Sequence, residues 1–272
     1  MRPSKLTSQI FLYLLAVGAE RYEVQVHAFC VLSNHAHLVV TDLHANLPRF
    51  LQFLDALVAR AVNASLGRWE HFWASDTYSA VTLIASEDVV AKAAYVLANP
   101  VEAGLVSTGS AWPGLWSAPE RIGGEAFVVE RPKHFFSSKG SMPERATLAL
   151  AVPKGFGSAE RFREKLVKAL DVLEDEARAH YGPRGGFLGI ARVLRQKPFS
   201  RPAPGEPRRE LDPRVAGRDK WKRIEALGAL QAFRAAYRAA LARWNAGDEG
   251  VVFPRGTYLM RVFHDVPCEA FG

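Results

Sequence analysis

The stretch that leaves this chain least freedom is residues 22–42, YEVQVHAFCVLSNHAHLVVTD. It opens with polar–apolar alternation and then turns into a continuous apolar run, the pattern of a strand that enters a buried interior. SNHA reads as a tight connection, and HLVVTD has the composition of a second strand. A hairpin of this kind is marginal in water until something covers it. The flanking segments must therefore supply helices.

They do. Residues 6–20 carry Ile10, Phe11, Leu14, Leu15 and Val17 in a helical rhythm. Their core, IFLYLLAV, imitates a signal-peptide centre, but no small-residue cleavage site follows, so a buried helix is predicted. Residues 46–67 start with Pro48 early in the helix, end at Gly67 and are amphipathic throughout. DTYSAVTLIA, 76–85, is a strand candidate. Residues 86–99 form a helix with Ser86 as N-cap, acids in the first turn and Pro100 just past its end. This order predicts an α+β fold, an antiparallel sheet with helices packed on it.

After residue 106 the texture changes to Gly, Pro, Trp and Ser, with strand candidates at EAFVVERP and ATLALAV. A charged helix is expected over 158–178 and another from Asp219 onward. A boundary is placed near residue 110, separating residues 1–110 from a mixed C-terminal module, 111–272. Among 272 residues, 49% hydrophobic and 23% charged, disorder on a large scale is excluded, and no apolar run spans a bilayer. No membrane partner is expected. Cys30 and Cys268 are too few for a disulfide framework or a thiolate zinc site and suit a reducing cytoplasm.

The net charge of +7 is concentrated. Residues 192–223 hold eleven Lys/Arg against four Asp/Glu, so this segment carries the whole excess. It is either a solvated Pro-rich linker or the footprint of a polyanion, most often nucleic acid. The candidate DNA-contacting residues are Arg208, Arg209, Arg214, Arg218, Lys220, Lys222 and Arg223.

Two further patterns carry chemistry. His35 and His37 lie two residues apart, so in an extended strand they share a face about 7 Å apart. Two imidazoles so placed can hold a divalent ion if an oxygen donor comes from elsewhere; otherwise they are a half-exposed pair. On the 86–99 helix, Asp88, Lys92, Tyr95 and Asn99 are spaced 4, 3, 4 and form one polar stripe. Tyr95 belongs to that stripe rather than to the apolar side, which makes it a candidate nucleophile. Asn99 offers a carbonyl oxygen, and Lys92 a charge for a phenolate or a phosphate. A surface stripe with one amphipathic tyrosine is the alternative. His27 shares the parity of the pair and reads as structural, Tyr78 is a fallback nucleophile, and Cys30 reads as inert. No phosphate-binding Gly loop, serine elbow or carboxylate cluster is present.

VHAFCVLSNHAHLVVTD, a long helix and then AAYVLANPVEAGLV, in this order, closely resemble the single-tyrosine HUH transposases, nearest to those associated with repetitive extragenic palindromes. The resemblance covers residues 10–106. It implies that His35-Ala36-His37 is the HUH pair, two histidines with a hydrophobic residue between them, and that Tyr95, four residues before Asn99-Pro100, is the nucleophile. It implies an HUH, ferredoxin-like catalytic domain, here without the strand that opens it in relatives. The implied activity is cleavage and transfer of single-stranded or hairpin DNA through a 5′-phosphotyrosine, assisted by Mg²⁺ or Mn²⁺ on His35, His37 and Asn99. The resemblance also admits a homodimer in which the tyrosine helix of one copy serves the other. Rival expectations are a DNA-binding protein that keeps the fold after its chemistry decayed, and a metal-dependent phosphoesterase with water as nucleophile.

Overall fold

A computed structural model of the chain describes residues 2–73, 78–137, 139–197 and 213–270. Helix α1, Lys5–Arg21, is capped by Ser4, whose Oγ accepts from the Thr7 amide at 3.0 Å. Its apolar residues Ile10, Phe11, Leu14 and Leu15 are fully buried, as its periodicity requires. Strands β1, Val24–Val31, and β2, Ala36–Asp42, pair antiparallel as the hairpin. Asp42 at the end of β2 starts the next helix: its carboxylate accepts from the amides of Asn46 at 2.9 Å and Leu47 at 2.8 Å. Those are donors that a helix N-terminus leaves without partners. Helix α2, Leu47–Leu66, then runs to Gly67, which adopts the left-handed conformation at φ 62° and closes it.

Ahead of the next helix, β3 is only Thr82–Leu83, and residues 76–77 of the longer strand expected there lie outside the described residues. It does not join the hairpin either; it pairs parallel with β6, Val215–Ala216, from far along the chain. Helix α3, Ser86–Glu102, differs from expectation at both ends. Ser86 is its first residue rather than its cap, and the Asp88 carboxylate reaches back to accept the Ala85 amide at 3.1 Å. Pro100 lies inside the helix, where its missing N–H forfeits one bond in the last turn. The Trp116 indole N–H donates to the Leu97 carbonyl in that same turn at 2.9 Å.

Strands β4, Phe127–Glu130, and β5, Arg145–Leu148, form at the two strand candidates and pair with each other antiparallel. Helices α4, Ala159–Tyr181, α5, Ile190–Arg195, α6, Lys220–Asn245, and α7, Leu259–His264, complete the fold. The chain is thus a mixture of helices and small two-stranded sheets. The free edge of β1 is met by the segment after α3. The Val31 amide donates to Leu115 O at 2.9 Å, the Ser117 amide to Phe29 O at 3.0 Å and the Ala151 amide to Val26 O at 2.9 Å. One buried cluster accordingly runs from Ile10 to Val193, straight across residue 110. A second gathers Ala240, Val251, Phe253, Met260 and Val266, and Arg261 ties it to the β2–α2 loop through Ala45 O at 3.0 Å and Asn46 Oδ1 at 2.9 Å.

His27 marks a shift in the β1–β2 register between Val26 and Ala28. It is 2% exposed, with Nδ1 at 2.7 Å from Ala151 O and Nε2 at 2.7 Å from Thr41 Oγ1. Both ring nitrogens are therefore engaged, and burial holds its pKa below the usual histidine value. His27→Leu strips partners from two part-buried oxygens, so we expect a loss of about 1–2 kcal/mol, read as a lowered urea midpoint at unchanged slope. A loss under about 0.5 kcal/mol, the scale of neutral surface changes, means the register does not depend on this ring.

Candidate active site

Two elements build the site, and each is anchored outside it. Helix α3 packs on the β1–β2 hairpin and against α4. Its far end is held by α4, where the Tyr181 hydroxyl donates to Glu102 O at 2.9 Å. The buried Glu174 of α4 accepts the Gly109 amide at 2.8 Å just beyond. Its N-terminus is held by Asp88, whose second oxygen accepts the Arg218 amide at 2.9 Å. Between those anchors the polar stripe faces the two histidines.

His37, in β2, pairs in register with Cys30, and His35 lies just before the strand. Their rings stand edge to face with centroids 4.6 Å apart. The Tyr95 ring lies 5.6 Å from that of His37, and the Lys92 ammonium sits 4.3 Å from the Tyr95 centroid. Asn99 is 8% exposed and hydrogen-bonds to His35. All five residues singled out as a catalytic and metal-ligating set are thus brought together on one face of α3. Tyr95 itself is 36% exposed, between the buried Ala94 and Val96, so its hydroxyl is open to a ligand.

The electrostatics favour neutral imidazoles. Burial pulls His37 down to about 4, reinforced by the neighbouring His35 and Lys92 charges. Burial also lowers His35, partly offset by its bond to Asn99. A neutral ring presents a lone pair to a metal or a proton donor. One atom asks for such a partner: His37 Nε2 is buried and has no hydrogen bond. Buried polar atoms are seldom left so. His35 Nδ1 lies 2.8 Å from Asn34 Oδ1, an arrangement that orients the ring and fixes its tautomer. Among the described residues no three His, Cys, Asp or Glu side chains converge, so a cation here must draw on the Asn99 amide and on ligand or water oxygens.

Two contributors escaped sequence reasoning. Asn34 stood in view inside SNHAH, one residue before His35, where its short amide reaches the ring. Asp88 was placed on the stripe, but its hold on Arg218 spans 130 positions and leaves no local trace. Of the basic candidates, Arg208 and Arg209 lie outside the described residues. Arg214, Arg218, Lys220 and Lys222 are exposed around β6 and the start of α6. Arg223 is half-buried and spends its guanidinium on the carbonyls of Gly217 and Arg218.

Burial leaves Cys30 inert, its thiol pushed up to about 12. No helix among the described residues is long and apolar enough to cross a membrane. Comparison with family models, with curated proteins and with solved structures returns no match.

Proposed function

We propose that this chain cleaves and transfers DNA strands through a covalent tyrosine–phosphate intermediate, as its resemblance to the single-tyrosine HUH transposases implies. The observation that carries the reading is the convergence of Tyr95, Lys92 and Asn99 on His35 and on His37, whose Nε2 is buried without a partner. His35, His37 and Asn99 would hold a divalent ion, Mg²⁺ or Mn²⁺. When bound, it draws charge from a non-bridging phosphate oxygen.

The chain's own groups account for the rest. The Tyr95 oxygen attacks phosphorus, a P–O bond to tyrosine forms, and the P–O3′ bond breaks. The phenolic proton passes to solvent, and the departing 3′-oxygen takes one up. The phosphoryl bond is conserved on the enzyme, so a second 3′-hydroxyl can reverse the step and complete transfer. Lys92 keeps a positive charge beside the ring on which negative charge develops. The exposed cations around β6 and α6 would track the flanking phosphates.

The test is mass spectrometry after incubation with Mn²⁺ and single-stranded or hairpin oligonucleotides. The expected product is a nucleotide on the tryptic peptide that contains Tyr95, with a free 3′-hydroxyl on the released strand. Cleavage with no nucleotide on any peptide points instead to a water nucleophile and a phosphoesterase. Binding without cleavage leaves a DNA-binding protein whose chemistry has decayed.

A further inference from the structure

The stripe that bears Tyr95 begins at Asp88, and Asp88 fastens a distant part of the chain to it. Its buried carboxylate accepts the Arg218 amide, and Gly217 lies so close that a Cβ there would fall 2.9 Å from Asp88 Oδ2. The β3–β6 ribbon immediately precedes this contact, with Thr82 opposite Val215. Helix α6 then leaves the ribbon, and between the two is a cleft of about 430 Å³ lined by Thr82, Arg214, Val215, Ala226, Leu230 and Arg234.

That lining has a chemical direction. Two guanidiniums beside Val215, Ala226 and Leu230 suit a ligand that is anionic at one end and flat and apolar at the other. Guanidiniums take phosphate in two-pronged hydrogen bonds, and a nucleobase needs an apolar or stacked contact. The surroundings reject cations: α6 carries Lys220, Lys222, Arg223, Arg234, Arg238 and Arg243 against Glu225 alone. Position matters as much as chemistry. Asp88 and Tyr95 share one face of α3 and are seven residues apart, a rise of about 10 Å.

We infer that the cleft between the β3–β6 ribbon and α6 is a nucleotide subsite, holding one phosphate and base of the DNA strand that flanks the phosphate at Tyr95. The inference rests on the strand-cleavage reading and adds to it where the flanking strand goes. It also gives Asp88 a task, which is to keep that subsite in fixed register with the nucleophile.

Fluorescence anisotropy with a labelled single-stranded oligonucleotide spanning both positions tests it, using wild type, Arg234→Ala and Arg234→Lys. Arg234 is exposed, so neither change threatens folding. The expected result is an approximately tenfold weaker affinity for Arg234→Ala, with the salt slope reduced by about one. Lysine restores the slope but only part of the affinity, because it keeps the charge and loses the fork. The difference between wild type and Arg234→Ala closes when the oligonucleotide is shortened to the nucleotides next to the scissile phosphate. Equal affinities of wild type and Arg234→Ala for the long strand overturn the subsite. Adduct formation by the wild type, followed in parallel, separates the two readings. An adduct with equal affinities keeps the nuclease and removes the subsite, whereas cleft-dependent binding with no adduct does the reverse. A wild type that binds no oligonucleotide overturns both.

Discussion

Tyr95→Phe is expected to abolish the covalent protein–DNA adduct, by roughly 10³-fold or more, the scale on which deletion of a nucleophile acts. The fold should hardly notice. Tyr95 is 36% exposed, so losing the hydroxyl strands no buried partner, and the ring keeps its place beside His37 and under Lys92. A stability change within about 0.5 kcal/mol is anticipated, as for surface substitutions generally. Denaturing electrophoresis of a labelled oligonucleotide with Mn²⁺ reads the adduct, and thermal melts followed by circular dichroism read the fold. An adduct that survives in the phenylalanine variant removes Tyr95 from the role. Tyr78 would then be the residue to examine, although burial raises its pKa and works against a phenolate there.

The features legible in the sequence are those whose cause is local. Alternation and then an apolar run specified β1, the helical rhythm of Ile10, Phe11, Leu14 and Leu15 specified α1, and Pro48 and Gly67 bracketed α2. The 4, 3, 4 spacing of Asp88, Lys92, Tyr95 and Asn99 needed only helix geometry to put them on one face. Once that helix crosses the hairpin, the meeting with His37 follows. The hairpin's own connection also explains why Asn34 can hold His35.

What escaped the sequence is settled at long range. Pro100 read as a terminator because a residue before proline disfavours helix, yet Asn99 stays helical and the chain continues to Glu102. Packing of α3 against α4 and the Trp116 indole from a later segment stabilise that last turn. The β3–β6 pair is two residues long on each side, too short for any periodicity to register. The composition shift near residue 110 is real, but the segment it introduces supplies the edge of β1, so texture changed where packing did not. Asp88 looked like an ordinary first-turn acid, and its second hydrogen bond depends entirely on where residue 218 returns.

His37→Leu is expected to separate stability from function in opposite directions. As the structure stands, His37 carries a buried Nε2 without a partner, which costs the fold about 1–2 kcal/mol until a ligand meets it. A leucine of similar volume removes that atom, so at pH 7.5 the variant should be as stable as the wild type or about 1 kcal/mol more stable. Acid widens the gap. The folded pKa of His37 is about 4 against an ordinary 6.5, so between those values the unfolded chain binds more protons than the folded one. Wild-type stability therefore falls as pH drops from 6.5 toward 4, while leucine contributes nothing to that fall. The full shift would correspond to about 3 kcal/mol, and partial solvent access reduces the expected gain to roughly 1 kcal/mol at pH 5. Mn²⁺-dependent cleavage should decline by about 10²-fold or more, since the loss of a ligand exceeds the loss of a group that merely orients one. Urea melts at the two pH values and cleavage assays on the same samples decide the matter. A variant that loses more than about 2 kcal/mol at pH 7.5 would make His37 a structural residue of the hairpin, because only a buried group that the fold relies on carries such a penalty.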